Sequence, residues 1–155
     1  QAVRIDDMLA ESEPLLRRAL GEAVAFELAP GAENATAMVD PGQFDAAIMN
    51  LIVNARDAVA PGGSIRLETE ACELADSEAN DIPAGPYVRV VVRDDGVGME
   101  DVVRTEQGYG LRNVRERLTL YYGPSSSFAV GSKPGRGTRI EIRIKPLAEE
   151  VKAHA

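Results

Sequence analysis

The stretch Y-V-R-V-V-V-R-D, residues 87–94, constrains the fold most. A mostly apolar, β-branched run of strand length, closed by charge and then by glycine, reads as a central strand of a sheet. Such a strand needs neighbours, and the sequence supplies them. In S-I-R-L-E-T-E-A-C, residues 64–72, Ile65, Leu67 and Thr69 alternate with Arg66, Glu68 and Glu70, the pattern of a half-buried strand. T-R-I-E-I-R-I-K, 138–145, repeats it, with Ile140, Ile142 and Ile144 facing in and Arg139, Glu141 and Arg143 facing out. Shorter strands are expected at 23–29, 36–39 and 126–132.

Helical spacing fills the gaps. Residues 6–20 predict a helix with Met8, Leu9, Leu15, Leu16 and Leu20 as its inner face, stopped by Gly21. A second helix starts at the cap Asp40, with Pro41 at its first position and Gln43 placed as in a capping box. Its core face is Phe44, Ala47, Ile48, Leu51, Ala55, Ala58 and Val59, and Pro61-Gly62-Gly63 ends it. A third helix is expected over 110–122, with Leu111, Val114, Leu118 and Tyr121 at helical spacing. Helices and strands in this order predict a two-layer α/β sandwich, three helices over one face of a mixed sheet of five or more strands. Residues 1–146 make one domain and 147–155 a peripheral tail.

Bulk properties narrow the function. The formal net charge is −8, which argues against a nucleic-acid or anionic-membrane surface. No apolar run approaches the ~18 residues of a membrane span, and no signal peptide is visible. Cys72 is the only cysteine, so there is no disulfide frame and no cysteine metal site. The one histidine, His154, is next to last, which excludes a histidine dyad or a zinc site. The start at Q-A-V-R-I, without Met, leads us to expect a piece of a longer chain.

Folding alone leaves several stretches unexplained. The second helix carries Asn50 and Asn54, one turn apart on one face, next to its most apolar part. Amide oxygens are neutral, hard ligands that suit Mg²⁺. D-D-G-V-G-M, 94–99, follows the central strand with Asp94, Gly96 and Gly98 in a D-x-G-x-G pattern. A carboxylate fixed there can accept the amino proton of adenine, and the glycines let the backbone approach a base. Q-G-Y-G-L, 107–111, opens the third helix, where exposed N–H groups can cradle phosphate. P-G-R-G-T, 134–138, is a turn into the last strand with the Thr138 hydroxyl available.

Taken in order, these stretches resemble the GHKL ATPase superfamily of sensor histidine kinases, type II topoisomerases, heat-shock chaperones and mismatch-repair ATPases. N-L-I-V-N-A-R-D-A resembles its N box, D-D-G-V-G-M its G1 box and G-Y-G-L-R-N-V-R-E-R-L its G2 region. The similarity covers roughly residues 1–146. It implies the Bergerat fold and an ATP site with Mg²⁺. By resemblance, Asn54 ligates the Mg²⁺, and Asn50 holds the variable polar position, a second metal contact or the place of a general base. Asp94 binds the adenine amino group, and Asp95 is not expected to touch the base. Gly96, Gly98 and Met99 shape the adenine pocket. Gly108, Gly110 and Leu111 belong to the lid hinge and meet the phosphates. Thr138 reaches the base through water, and Arg56, one turn along from the asparagines, is either a phosphate contact or half of a surface ion pair.

Within the superfamily the sensor kinases are most similar, because the other branches carry larger insertions. The segment between Gly98 and Gly108 is short and has no aromatic F box. The resemblance therefore implies the cytoplasmic catalytic domain of a two-component histidine kinase, monomeric when isolated and without direct membrane contact. Its phosphate would go to a His on a dimerisation domain outside this chain, then to an Asp on a response regulator receiver domain. An anti-sigma-type protein-serine kinase and a degenerate docking module are the alternatives.

Overall fold

The computed structural model describes residues 2–32, 35–59, 61–74, 85–96, 116, 127–133 and 137–146. The elements run β1 (Ala2–Arg4), α1 (Ile5–Leu20), β2 (Ala25–Ala29), β3 (Thr36–Met38), α2 (Pro41–Ala58), β4 (Ser64–Leu74), β5 (Gly85–Asp94), β6 (Ser127–Lys133) and β7 (Gly137–Ile144). Five strands form one sheet in the order β2-β4-β5-β7-β6, and β1 pairs with β3 apart from it. Only β2 and β4 are parallel, so the sheet is mixed. The apolar strand at 87–94 is central, as its composition predicts.

One sheet face and the two described helices make the core. Alternation along β4, β5 and β7 delivers Ile65 and Leu67, then Val88, Val90 and Val92, then Ile140, Ile142 and Ile144 to the same layer. Helix α1 covers it with Ile5, Met8, Leu9, Leu16 and Leu20, and α2 with Phe44, Ala47, Ile48, Leu51, Ile52 and Ala55. Asp40 caps α2, its carboxylate accepting the Gln43 N–H at 3.1 Å. Gly21 ends α1 with φ at +74° and donates to Arg17 O at 3.0 Å.

Three expectations need correction. Leu15 is 57% exposed rather than internal, because it lies a quarter-turn from the stripe that Leu16 already fills. Ile52 is fully buried although the expected face omitted it. Glu141 does point away from the helices, yet it is buried. Arg139 pairs with it at 2.7 Å, and Arg143 and Arg89 close over it from neighbouring positions. Val91, across from Glu141 on the same face, is buried as well. The strand β1 had no counterpart in the sequence reading. The expected third helix lies outside the described residues, except Glu116, which is helical.

This outer layer makes a prediction. Glu141→Ala leaves three guanidinium groups without their shared counter-charge in a desolvated layer. Breaking such a group by deleting one partner is costly, and with the arginines partly hydrated we expect a loss of about 2 kcal/mol. For a domain of this size that is a fall in Tm of about 4–8 °C by calorimetry. An unchanged Tm would mean that the cluster contributes nothing.

Candidate nucleotide site

Asp94 is the last residue of β5 and sits across from Ile65 on β4 and Thr138 on β7. Alternation places it on the face that carries Val88, Val90 and Val92, under the helical layer. The chain then turns, and the Gly96 N–H donates back to Asp94 Oδ1 at 2.9 Å. The Thr138 N–H is a second donor to the same carboxylate. Burial pushes the Asp94 carboxyl above its ordinary value, against the pull of the Gly96 and Thr138 donors. A half-buried carboxylate with two fixed backbone donors is held in one orientation, with lone pairs remaining for a ligand donor.

Glycine chemistry makes this corner possible. Gly137 has φ at +90°, and a Cβ there would stand 2.0 Å from Asp94 O. No other residue fits at that place. Thr138, which follows it, is buried, so its hydroxyl belongs to the interior of the corner. Gly96 is also buried.

Helix α2 approaches the same corner. It packs against β4 and β5. Its C-terminal turn runs through the short connection 59–63 into Ser64, the first residue of β4. Ser64 lies beside the end of β5, where the Asp95 N–H donates to Ser64 O at 3.3 Å. The asparagines on α2 are not equivalent. Asn54 is half-buried at the edge of the core stripe, and Asn50 is exposed one turn earlier.

Arg56 is engaged elsewhere. Its Nη1–H donates to Ala19 O at 2.7 Å in the last turn of α1, and Nη2 lies 3.5 Å from the Asp57 carboxylate. The Ala19 bond ties α2 to α1, and the Asp57 contact is the surface ion pair that was the alternative to a phosphate contact. Gly98, Met99, Gly108, Gly110 and Leu111 lie outside the described residues. The structure therefore brings Asp94, Gly96 and Thr138 together, and the chain leaving the C-terminal end of α2 enters β4 at Ser64, beside Asp95.

Sequence reasoning missed two contributors to this corner. The space constraint at Gly137 was signalled only by the second glycine of G-R-G-T. The three bonds between Asp95 and Ser64 join residues thirty-one positions apart and leave no local signal.

Residues 39–148 match the family of histidine kinase-, DNA gyrase B- and HSP90-like ATPases. The chain belongs to that family, and ATP is the nucleotide its site is built around. Among curated proteins it is 30% identical over 167 residues to the sensor kinase CckA of Brucella abortus, a match covering 99% of this chain and 18% of CckA. The chain thus spans about a fifth of that relative's length. Its fold is that of the mycobacterial sensor histidine kinase MprB, with a TM-score of 0.70 and 18% identity over 94% of this chain and 97% of that one. Histidine kinase ThkA, solved in complex with the response regulator TrrA, superposes equally well, with a TM-score of 0.70 and 17% identity over 97% of this chain and 42% of ThkA's. By fold and by family the chain is an ATPase domain of the sensor-histidine-kinase type, the two-layer sandwich expected from its motifs.

Proposed function

We propose that this domain binds ATP with Mg²⁺ and presents the γ-phosphate to a histidine on a dimerisation domain of the same parent protein. A response regulator receiver domain then takes the phosphate onto an aspartate. The observation that carries this reading is the Asp94 carboxylate, fixed by Gly96 and Thr138 at the end of the central strand. The similarity to a sensor kinase over 99% of this chain supports the same assignment, as does the ThkA assembly with its regulator. No described helix is long and apolar enough to cross a membrane. That accords with a cytoplasmic domain whose parent is anchored or not.

The chain's own residues divide the work as follows. Asp94 accepts the adenine amino proton, and the backbone around Gly96 and Gly98 lies against the base, with Met99 beside it. Thr138 stands close enough to take part through water. Gly108, Gly110 and Leu111, outside the described residues, would meet the phosphates. Asn54, with an amide oxygen at the edge of the helix stripe, suits a hard cation, and Asn50 stands one turn away to assist. A bound Mg²⁺ would neutralise the charge developing on the phosphate oxygens. Asn50 occupies the base position, yet an amide cannot take a proton from water. The domain is thereby suited to passing phosphate on rather than hydrolysing ATP. An incoming histidine nitrogen forms the new N–P bond as the bond from the γ-phosphorus to the bridging oxygen breaks and ADP leaves.

The test is calorimetric titration of ADP and a non-hydrolysable ATP analogue, with and without Mg²⁺. It is followed by incubation with ATP and a supplied histidine-bearing helix-pair domain. We expect micromolar-range binding, a Mg²⁺ effect lost in Asn54→Ala, and acid-labile label on the supplied domain. Absence of any heat in the wild type would overturn the reading and leave a docking module.

A further inference from the structure

Asp95 follows the adenine-recognition candidate directly, yet it points the other way and does a different job. Its carboxylate accepts the Ser64 N–H at 2.9 Å and the Ser64 hydroxyl at 3.1 Å, while its own N–H donates to Ser64 O at 3.3 Å. One residue thus takes both main-chain groups and the side chain of Ser64. The anchor is itself held. The Gly62 N–H donates to Ala23 O at 2.7 Å, and the Ala25 N–H to Gly63 O at 2.9 Å. These bonds fix the connection between α2 and β4 to the start of β2.

Both Asp95 and Ser64 are exposed. Hydrogen bonds in that setting add little to global stability, because water competes for every group. What they do is remove rotational freedom from the backbone immediately after Asp94. The bond from Gly96 N–H to Asp94 Oδ1 closes across this residue, so the orientation of the Asp94 carboxylate depends on how the peptide at Asp95 is held. We infer that Asp95 is a positioning residue for base selection: by clamping the end of β5 to Ser64, it aims the Asp94 carboxylate at the amino edge of the purine. This inference rests on the adenine reading of the site.

A carboxylate that merely tidied a strand end would affect all purine nucleotides alike. A positioning residue affects only those that Asp94 recognises. ADP and IDP separate the cases, since the inosine base carries a keto oxygen where adenine carries the amino donor. Both would be titrated calorimetrically into the 155-residue chain and into Asp95→Ala, Asp95→Asn and Ser64→Ala, each checked by thermal melting.

We expect Asp95→Ala to weaken ADP about tenfold and IDP hardly at all, reducing the ADP preference by about the same factor. Asp95→Asn keeps one acceptor oxygen for Ser64 and restores part of the preference. Ser64→Ala removes only the hydroxyl bond, which guards against a misfolded Asp95→Ala, and should reduce the preference about threefold. A wild type that prefers ADP, with the preference intact in Asp95→Ala and Ser64→Ala, would overturn the positioning role alone. A wild type that binds ADP and IDP equally would overturn the adenine reading, and this inference with it.

Discussion

Asp94→Asn should weaken ADP binding by roughly 100-fold, about 2.7 kcal/mol, while leaving the fold intact. The substitution is nearly isosteric. It replaces an anionic acceptor with an amide whose NH₂ opposes the amino group of the base, so a charge-assisted bond is exchanged for a poor contact. The pH dependence sharpens the expectation. Burial raises the Asp94 carboxyl above the ordinary 3.8. A carboxyl raised in the folded state contributes stability that is fully present below its unfolded value and is lost as pH rises through its folded value. Binding runs in the opposite sense, because the anion is the better acceptor. Wild-type ADP affinity should therefore fall as pH drops through the raised value, beginning above 3.8. The Asp94→Asn profile over the same range should show only the titration of the nucleotide. Identical profiles for the two proteins would remove Asp94 from the site.

Gly137→Ala should be the most damaging single methyl addition among the described glycines. The positive φ costs about 1 kcal/mol for any residue with a Cβ, and here that Cβ would also stand 2.0 Å from Asp94 O and 2.9 Å from Asp94 C. Backbone must move to admit it, and it is the backbone that orients the recognition carboxylate. We expect a loss of at least about 3 kcal/mol, a fall in Tm of about 10 °C and undetectable ADP binding. Gly62→Ala is the matched control, since φ there is +88° with nothing within 4 Å of the added carbon. It should cost only the strain, about 1 kcal/mol. Equal effects at the two glycines would show that crowding against Asp94 is unimportant.

These residues also show which parts of the molecule sequence can reveal. Periodicity marks direction well. It located β4, β5 and β7 and set the inner faces of β4 and β7, Ile65 and Leu67 on one and Ile140, Ile142 and Ile144 on the other, because a strand's side chains must alternate. It marks burial less well. Glu141 points outward as its parity requires, but parity says nothing of Arg89, Arg139 and Arg143 folding over it from two strands. Leu15 shows the converse: neighbours on a helix can both be buried, as Leu51 and Ile52 are, and only packing decides that Leu16 is covered while Leu15 is not. Three residues of β1 are too few to carry a period. At the candidate site, Asp94, Gly96 and Thr138 could be singled out because their types recur in a known order, and the structure brings the three to one corner. The anchoring of Asp95 on Ser64 was not, since it depends on two strand ends meeting in space. The same limit applies to Arg56, whose bond to Ala19 O joins two helices.

The sheet order has a consequence for how the domain comes into being during synthesis. β7, the last described strand, does not lie at an edge; it inserts between β5 and β6. A chain leaving the ribosome can pair β2, β4 and β5 and lay both described helices over them while β5 still shows a bare margin. At that stage Asp94 has its Gly96 donor but lacks the one from Thr138, more than forty positions downstream. The corner around Asp94 is therefore completed only when the last described strand has paired, and until then the carboxylate is not held from both sides. We therefore expect ATP to be held by the completed domain only, and a product ending before β7 not to hold it.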